Sequence, residues 1–185
     1  MINLNHAVAF QHVLWDQQLK EAQTIVDMTC GKGLDLTYIA QKALKKASIF
    51  AVDIQTEAIS LAKKRVNGLH DVHFIQASHS EVLPKYITAP IDLAIFNLGY
   101  LPTGNHAIHT QGATTIEAVK ALLKQLAPKG LITLVAYPGT EAGAQEEVEL
   151  ASFLRTLDQK QYDVSYWSPI NQIHNPPTLY IVKGR

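Results

Sequence analysis

The chain has one cysteine, no long apolar run and no excess of either charge, and each scarcity removes a class of protein. A lone Cys30 excludes an internal disulfide and any cysteine-rich zinc site. The apolar stretches are only of strand length, so no membrane span is expected. The first residues are polar and include His6 where a secretory leader needs an apolar core, so a cytoplasmic protein is the simple reading. Lysine plus arginine and aspartate plus glutamate both number 16, so the formal charge cancels. Gripping nucleic acid without specificity takes a cation for each phosphate contact. The balance therefore argues against a broad electrostatic binder but leaves room for a local patch. The basic clusters at Lys42, Lys45 and Lys46 and at Lys63, Lys64 and Arg65 read as solvated helix ends favoured by the dipole. His6, His12, His106, His109 and His174 form no His-x-x-x-His pair on a plausible helix, and no carboxylate stands among them as a ligand. No metal is expected, and these histidines read as scattered surface residues. Histidine titrates near neutral pH, so one of them remains open as a base.

What is present suits one α/β domain over residues 1–185, since 47% of the chain is apolar and its length supports one sizeable core. Residues 24–35 read Thr-Ile-Val-Asp-Met-Thr-Cys-Gly-Lys-Gly-Leu-Asp, a buried strand followed by a glycine turn. Gly31 and Gly33 let the backbone turn sharply and approach a ligand. Asp53, at the end of the next strand, is placed to accept hydrogen bonds from both hydroxyls of a ribose. A nicotinamide dinucleotide site needs a third glycine, and Leu36 stands there instead. Asp27, just ahead of the turn, repels a diphosphate and attracts a ligand that carries an ammonium. S-adenosylmethionine, with a ribose at one end and an amino acid at the other, fits that description better than a dinucleotide does.

Residues 5–19 suit an amphipathic helix with apolar groups at Ala7, Val8, Phe10, Val13, Leu14 and Leu19, within an N-terminal segment of residues 1–20. Strands are expected at 24–29, 48–53, 72–75, 91–96 and 131–136. The helices between them are expected at 35–44, 56–66 and 114–126, the last ended by Pro128 and Gly130. A helix over 141–157 follows. The tail differs in kind, with strands at 163–168 and 178–182 and no helix between them. Alternating strands and helices imply a parallel sheet, and the tail implies an antiparallel hairpin on its edge. The expected fold is a Rossmann-like class I methyltransferase. Its sheet has seven mostly parallel strands, with helices on both faces.

Ligands of such sheets lie outside the carboxyl ends of the strands. Ser78 and His79, after the third strand, can meet the adenine, although surface roles suit both equally. Asn97, Leu98, Gly99 and Tyr100, after the fourth strand, are expected to face the methyl group. This tetrapeptide partly resembles the Asn/Asp-Pro-Pro-Tyr motif of amino-group methyltransferases, with Leu98-Gly99 in place of the prolines. In that motif the polar side chain holds a target nitrogen while the aromatic ring stacks on a base. Methylating a pyrimidine carbon takes a cysteine nucleophile, and Cys30 lies in the glycine turn, not at the fourth strand. Nitrogen transfer takes no covalent step, so an amine or amide acceptor is favoured. Asn175-Pro176-Pro177, between the last two strands, is either a rigid turn or a border of the acceptor mouth.

Three segments together, Phe-Asn-Leu-Gly-Tyr-Leu-Pro at 96–102, Thr-Thr-Ile-Glu-Ala at 114–118 and Ile-Asn-Gln-x-x-Asn-Pro-Pro at 170–177, resemble the small bacterial methyltransferases labelled rRNA methylases. The resemblance covers nearly the whole chain. Members of that group methylate the aminomethyl nitrogen of 5-aminomethyl-2-thiouridine at the tRNA wobble position, so it implies tRNA as partner; ribosomal RNA or a small-molecule amine as acceptor, and a donor-binding module without catalysis, stay open beside it. It also implies donor contacts from Asp27, Thr29, Gly31, Lys32, Gly33 and Asp35 around the turn. Further donor contacts are implied at Asp53, Gln55, Ser78, His79, Asn97 and Leu98. Asn97 and Tyr100 are the implied catalytic pair, and Tyr100, Pro102 and Asn175 the implied acceptor contacts. Lys32 and Leu34 stand where relatives often have polar residues, and Thr103-Gly104-Asn105-His106 departs from their usual Gly-Gly-Asp pattern. Small relatives are often dimers, and the N-terminal helix is free to cover the sheet or to pair with a second copy.

Overall fold

Thr24–Asp27 is buried at all four positions, as befits the central strand of a parallel sheet covered on both faces. In the computed structural model, which describes residues 6–99 and 110–185, this strand is β1. Around it the chain runs α1 (Ala7–Gln18), β1, α2 (Leu34–Lys42), β2 (Ser48–Asp53), α3 (Thr56–Val66) and β3 (Val72–Gln76). A short 3-10 turn (His79–Glu81) precedes β4 (Ile91–Asn97), α4 (Gly112–Gln125), β5 (Leu126–Ala136), α5 (Glu141–Leu154), β6 (Tyr162–Trp167) and β7 (Thr178–Gly184). The sheet order is β3-β2-β1-β4-β5-β7-β6. Neighbours are parallel from β3 to β5, while β7 runs antiparallel to both β5 and β6. The expected seven-stranded mixed sheet is therefore the observed one. Among the described residues no helix is long and apolar enough to cross a membrane.

Alternation along each strand divides the core. Ile25, Ile49, Leu93 and Ile95 pack with Trp15, Leu36, Ile39 and Ala62 under α1, α2 and α3. Val26, Val52, Phe96 and Leu134 pack with Val119, Leu122, Leu150 and Leu154 under α4 and α5. Strand order reverses between β1 and β4, which is where sheets of this kind open a crevice at their carboxyl ends.

Two local expectations change. On α1 the expected Ala7 and Leu19 are buried and Val8, Phe10 and Leu14 pack against the core, but Val13 is 40% exposed, and Gln11 and Trp15 are buried as well. Trp15 enters the core because its indole N–H donates to Thr133 Oγ1 at 3.0 Å, a partner no local pattern reveals. Strand β5 begins at Leu126 rather than Leu131, directly after α4. Leu126 pairs with Ile91 and Leu131 with Leu93, so the residues between them bulge out. Lys129 takes a φ of 61° there, and a Cβ on Gly130 would sit 2.7 Å from Leu126 Cδ1 and 2.8 Å from Ala127 O.

Candidate active site

The carboxyl ends of β1, β2, β3 and β4 meet at one edge of the sheet. Asp27 pairs with Ala51 and with Ile95, so Asp53 and Asn97 each lie one pleat further out on either side of it. Asp27 itself is buried, and its Oδ1 accepts the Thr29 N–H at 3.2 Å. Cys30 N–H donates to Val52 O at 2.8 Å, and Gly33 N–H then donates to Cys30 O at 2.8 Å to close the turn. Gly31 (φ 48°) and Gly33 (φ 77°) are both left-handed. The missing Cβ of Gly33 makes room for helix packing, because it would lie 2.9 Å from Ala62 Cα on α3. Lys32 O accepts from Arg65 Nε at 2.9 Å, which ties the turn to α3 a second time.

Asp53 is held by backbone. Its Oδ2 accepts the Gly31 N–H and its Oδ1 the Gln55 N–H, both at 2.9 Å. Each oxygen keeps a lone pair for a further donor. Ala77 N–H donates to Asp53 O at 3.2 Å, which brings the stretch after β3 alongside. Ser78 there caps the short turn by bonding Ser80, and the His79 ring meets Phe96 edge-on at 5.8 Å. His79 Nε2 is buried without a partner among the described residues, and burial depresses this imidazole to about 4, so it stays neutral.

At the end of β4, Asn97 N–H donates to Thr29 Oγ1 at 2.8 Å, which joins the two strand ends. The Asn97 side-chain nitrogen donates to Asp35 Oδ2, while its Oδ1 is buried with no partner among the described residues. Leu98 is buried and donates its N–H to Val135 O at 2.9 Å. Gly99 (φ 119°) donates its N–H to Thr110 Oγ1 at 2.7 Å, and Thr110 N–H donates back to Gly99 O at 2.9 Å. The Thr110 and Thr115 hydroxyls donate to the two oxygens of the buried Glu146 on α5, at 2.6 and 2.8 Å. Tyr100 and Pro102 lie outside the described residues, as do His106 and His109. Asn175 is exposed with a φ of 48°, in the connection whose ends, Trp167 and Thr178, adjoin the carboxyl end of β5.

Sequence reasoning missed His12. It is not a scattered surface histidine, since its side chain is 24% exposed and its Nε2 meets Asp35 Oδ1 at 2.6 Å. His6 and His174 are exposed, as expected. Tyr137, directly after β5, was also missed, and burial together with the Asp35 charge pushes its hydroxyl up to about 12. A signal existed for His12. His12 and Asp16, one helical turn apart, match Asp35, Tyr38 and Lys42 on α2 as complementary polar stripes.

Carboxylates dominate the charge here. Burial raises Asp27 well above the ordinary carboxylate range, and the charges of Asp35 and Asp53 add to the rise. Burial also raises Asp53, against the pull of the Gln55, Gly31 and Ile54 N–H groups. An anionic diphosphate would worsen this crowding, and a ligand ammonium relieves it. Burial and the same aspartates push the Cys30 thiol up, so it supplies no thiolate nucleophile.

A family model described as "Putative rRNA methylase" matches residues 49–183. The chain belongs to this family. It is 35% identical over 191 residues to the chloroplastic tRNA (mnm(5)s(2)U34)-methyltransferase of Arabidopsis thaliana, covering 96% of this chain and 69% of that protein. Among solved structures, a "putative rRNA-methylase" from Clostridium thermocellum has a TM-score of 0.94 at 34% identity, with 99% of this chain and 100% of that one covered. A "putative methyltransferase" from Streptococcus mutans, in complex with SAH, has a TM-score of 0.89 at 31% identity, with 100% of both chains covered. The chain is thus a class I methyltransferase that uses S-adenosylmethionine.

Proposed function

We propose that the protein transfers a methyl group to the aminomethyl nitrogen of 5-aminomethyl-(2-thio)uridine at the tRNA wobble position. The observation that carries this reading is the Asn97 amide. Its nitrogen is committed to Asp35, so the unpartnered Oδ1 is left as an acceptor for a substrate N–H. The name of the Arabidopsis relative supports the same acceptor. When bound, the donor supplies a sulfonium methyl, an electrophile that needs no activation by the protein.

The rest falls to this chain's residues. Asp53 takes the ribose hydroxyls through its free lone pairs, with Gln55 beside it. Ser78 and the neutral His79 take the adenine. Asp27, Thr29, Gly31, Lys32, Gly33 and Leu98 shape the pocket for the amino-acid end, and the charge of Asp27 favours its ammonium. The aminomethyl group, an ammonium at neutral pH, first gives one proton to solvent. Asn97 then orients the neutral nitrogen so that its lone pair meets the methyl carbon. The N–C bond forms as the methyl's bond to the donor sulfur breaks, leaving the demethylated donor and a secondary ammonium. Tyr100 stacks on the uracil, and Pro102 and Asn175 border it. A homodimer would give the electrically neutral chain a second surface for a large RNA, which light scattering tests.

Net neutrality favours a second acceptor class, a small-molecule amine, over any polyanion. One experiment separates the two. Nucleoside mass spectrometry of tRNA from a deletion strain should show loss of one methyl group on the wobble uridine. Unchanged wobble nucleosides would sink the tRNA reading.

A further inference from the structure

Both oxygens of Asp35, an expected donor contact, engage protein groups, each with a lone pair left over. Oδ2 accepts from the Asn97 amide nitrogen, and Oδ1 meets His12 Nε2 at 2.6 Å. A carboxylate only accepts, so His12 must present its hydrogen on Nε2. His12 comes from α1, ahead of the first strand. Its ring lies stacked on Tyr38 at 4.0 Å, with Trp15 at 4.8 Å. One turn further along α1, Asp16 accepts from the Tyr38 hydroxyl at 2.6 Å and from Lys42 Nζ at 2.5 Å. The imidazole is therefore fixed by its neighbours before it reaches Asp35.

This arrangement bears on a choice the Asn97 amide must make. Rotated by half a turn, Asn97 would present N–H donors to an amine and lose its use as an acceptor. Among the described residues the carboxylate of Asp35 makes one orientation decisively better, and a donor on the far side of that carboxylate keeps it aimed. We infer that His12 is a positioning residue for methyl transfer: it holds Asp35, and Asp35 fixes Asn97 with its oxygen toward the acceptor. Helix α1, whose other buried residues merely cover the sheet, then becomes part of the site. The inference rests on the proposed role of Asn97 toward a substrate nitrogen.

Two substitutions in the full chain separate positioning from packing. His12→Phe keeps a ring against Tyr38 and Trp15 but removes the donor. His12→Gln removes the ring but keeps an N–H within reach of Asp35. With tRNA carrying 5-aminomethyl-2-thiouridine, His12→Phe should lower kcat about tenfold, the scale of one hydrogen bond to a charged group, and leave donor affinity unchanged. His12→Gln should return most of the lost rate. A wild-type kcat for His12→Phe, or a Gln variant no better than the Phe variant, would overturn the inference.

A second readout needs no substrate. The Asn97 side-chain amide signals, identified by their loss in Asn97→Ala, should shift in an NMR spectrum of His12→Phe and stay in place in His12→Gln. Unmoved signals in both variants would overturn the coupling. If they shift as expected while the wild-type protein fails to methylate this tRNA, the coupling stands and the proposed acceptor falls.

Discussion

The two halves of the crevice are built by different means. On the donor side, at the ends of β1 and β2, backbone groups supply the donors: Gly31 and Gln55 N–H reach the Asp53 carboxylate, and Cys30 N–H continues the β1–β2 pairing. On the acceptor side, at the end of β4, side chains hold side chains. Asn97 bonds Asp35, Asp35 meets His12, and Glu146 gathers Thr110 and Thr115 from elsewhere in the chain. A backbone donor survives almost any substitution at its own position, so the first half hangs on one side chain, Asp53, where the second hangs on several. The first half is suited to a ligand that never changes, and the second to an acceptor that can.

Substitutions should break the two halves differently. Gly33→Ala strikes the donor side hardest, because it forces a side chain onto a φ of 77° and a Cβ to 2.9 Å from Ala62 Cα. A loss of about 3–4 kcal/mol in urea unfolding is expected from backbone strain plus overpacking. Asp53→Ala should weaken donor binding by about 2–4 kcal/mol if both hydroxyl bonds are charge-assisted. Calorimetry with S-adenosylmethionine and its demethylated product measures this, and unchanged affinity would remove the ribose assignment. Asn97→Ala should reverse the pattern, with single-turnover methylation slowed by about 10²-fold or more and donor affinity kept. Equal damage to both quantities would erase the division between the halves.

A smaller effect follows from Asp27 and Asp53. Both hold their protons more tightly in the folded protein than in the unfolded chain. The stability they contribute is therefore full below the ordinary carboxylate value near 3.8 and is lost as pH rises through their raised values. A cationic ligand favours the ionised form, so donor binding should expel part of a proton at pH values below the raised value of Asp27. Calorimetry in buffers of differing ionisation enthalpy reads that release, and Asp27→Asn should diminish it. The smallest effect expected is that of Cys30→Ser. The thiol is buried and held protonated, so activity should be retained; an inactive variant with normal donor binding would restore a covalent route.

Legibility in the sequence follows the same division. The glycine turn, Asp53 and the strand–helix alternation can be read directly because short-range pattern dictates them. The seven strands and the antiparallel tail follow from the same reading. The role of Gly33 was only half visible, since its φ follows from the turn but its packing on Ala62 depends on how α2 lies against α3. Trp15 was absent from the expected face of α1 because it owes its place to Thr133, 118 residues away. His12 was passed over because its partner, Asp35, is 23 residues distant on another helix. Contacts of that kind are set by which elements share a face of the sheet, and no periodicity within one element records them.

Gly99 and Thr110 bond each other through both backbone and side chain, so the chain leaves β4 and returns for α4 at a single point. Closure entropy alone sets little against a change in the number of positions between them. Doubling the length of such a tied excursion adds only about 0.6 kcal/mol of closure entropy. An engineer could graft this segment from one family member to another as a cassette, with Glu146 and its two threonines as the socket.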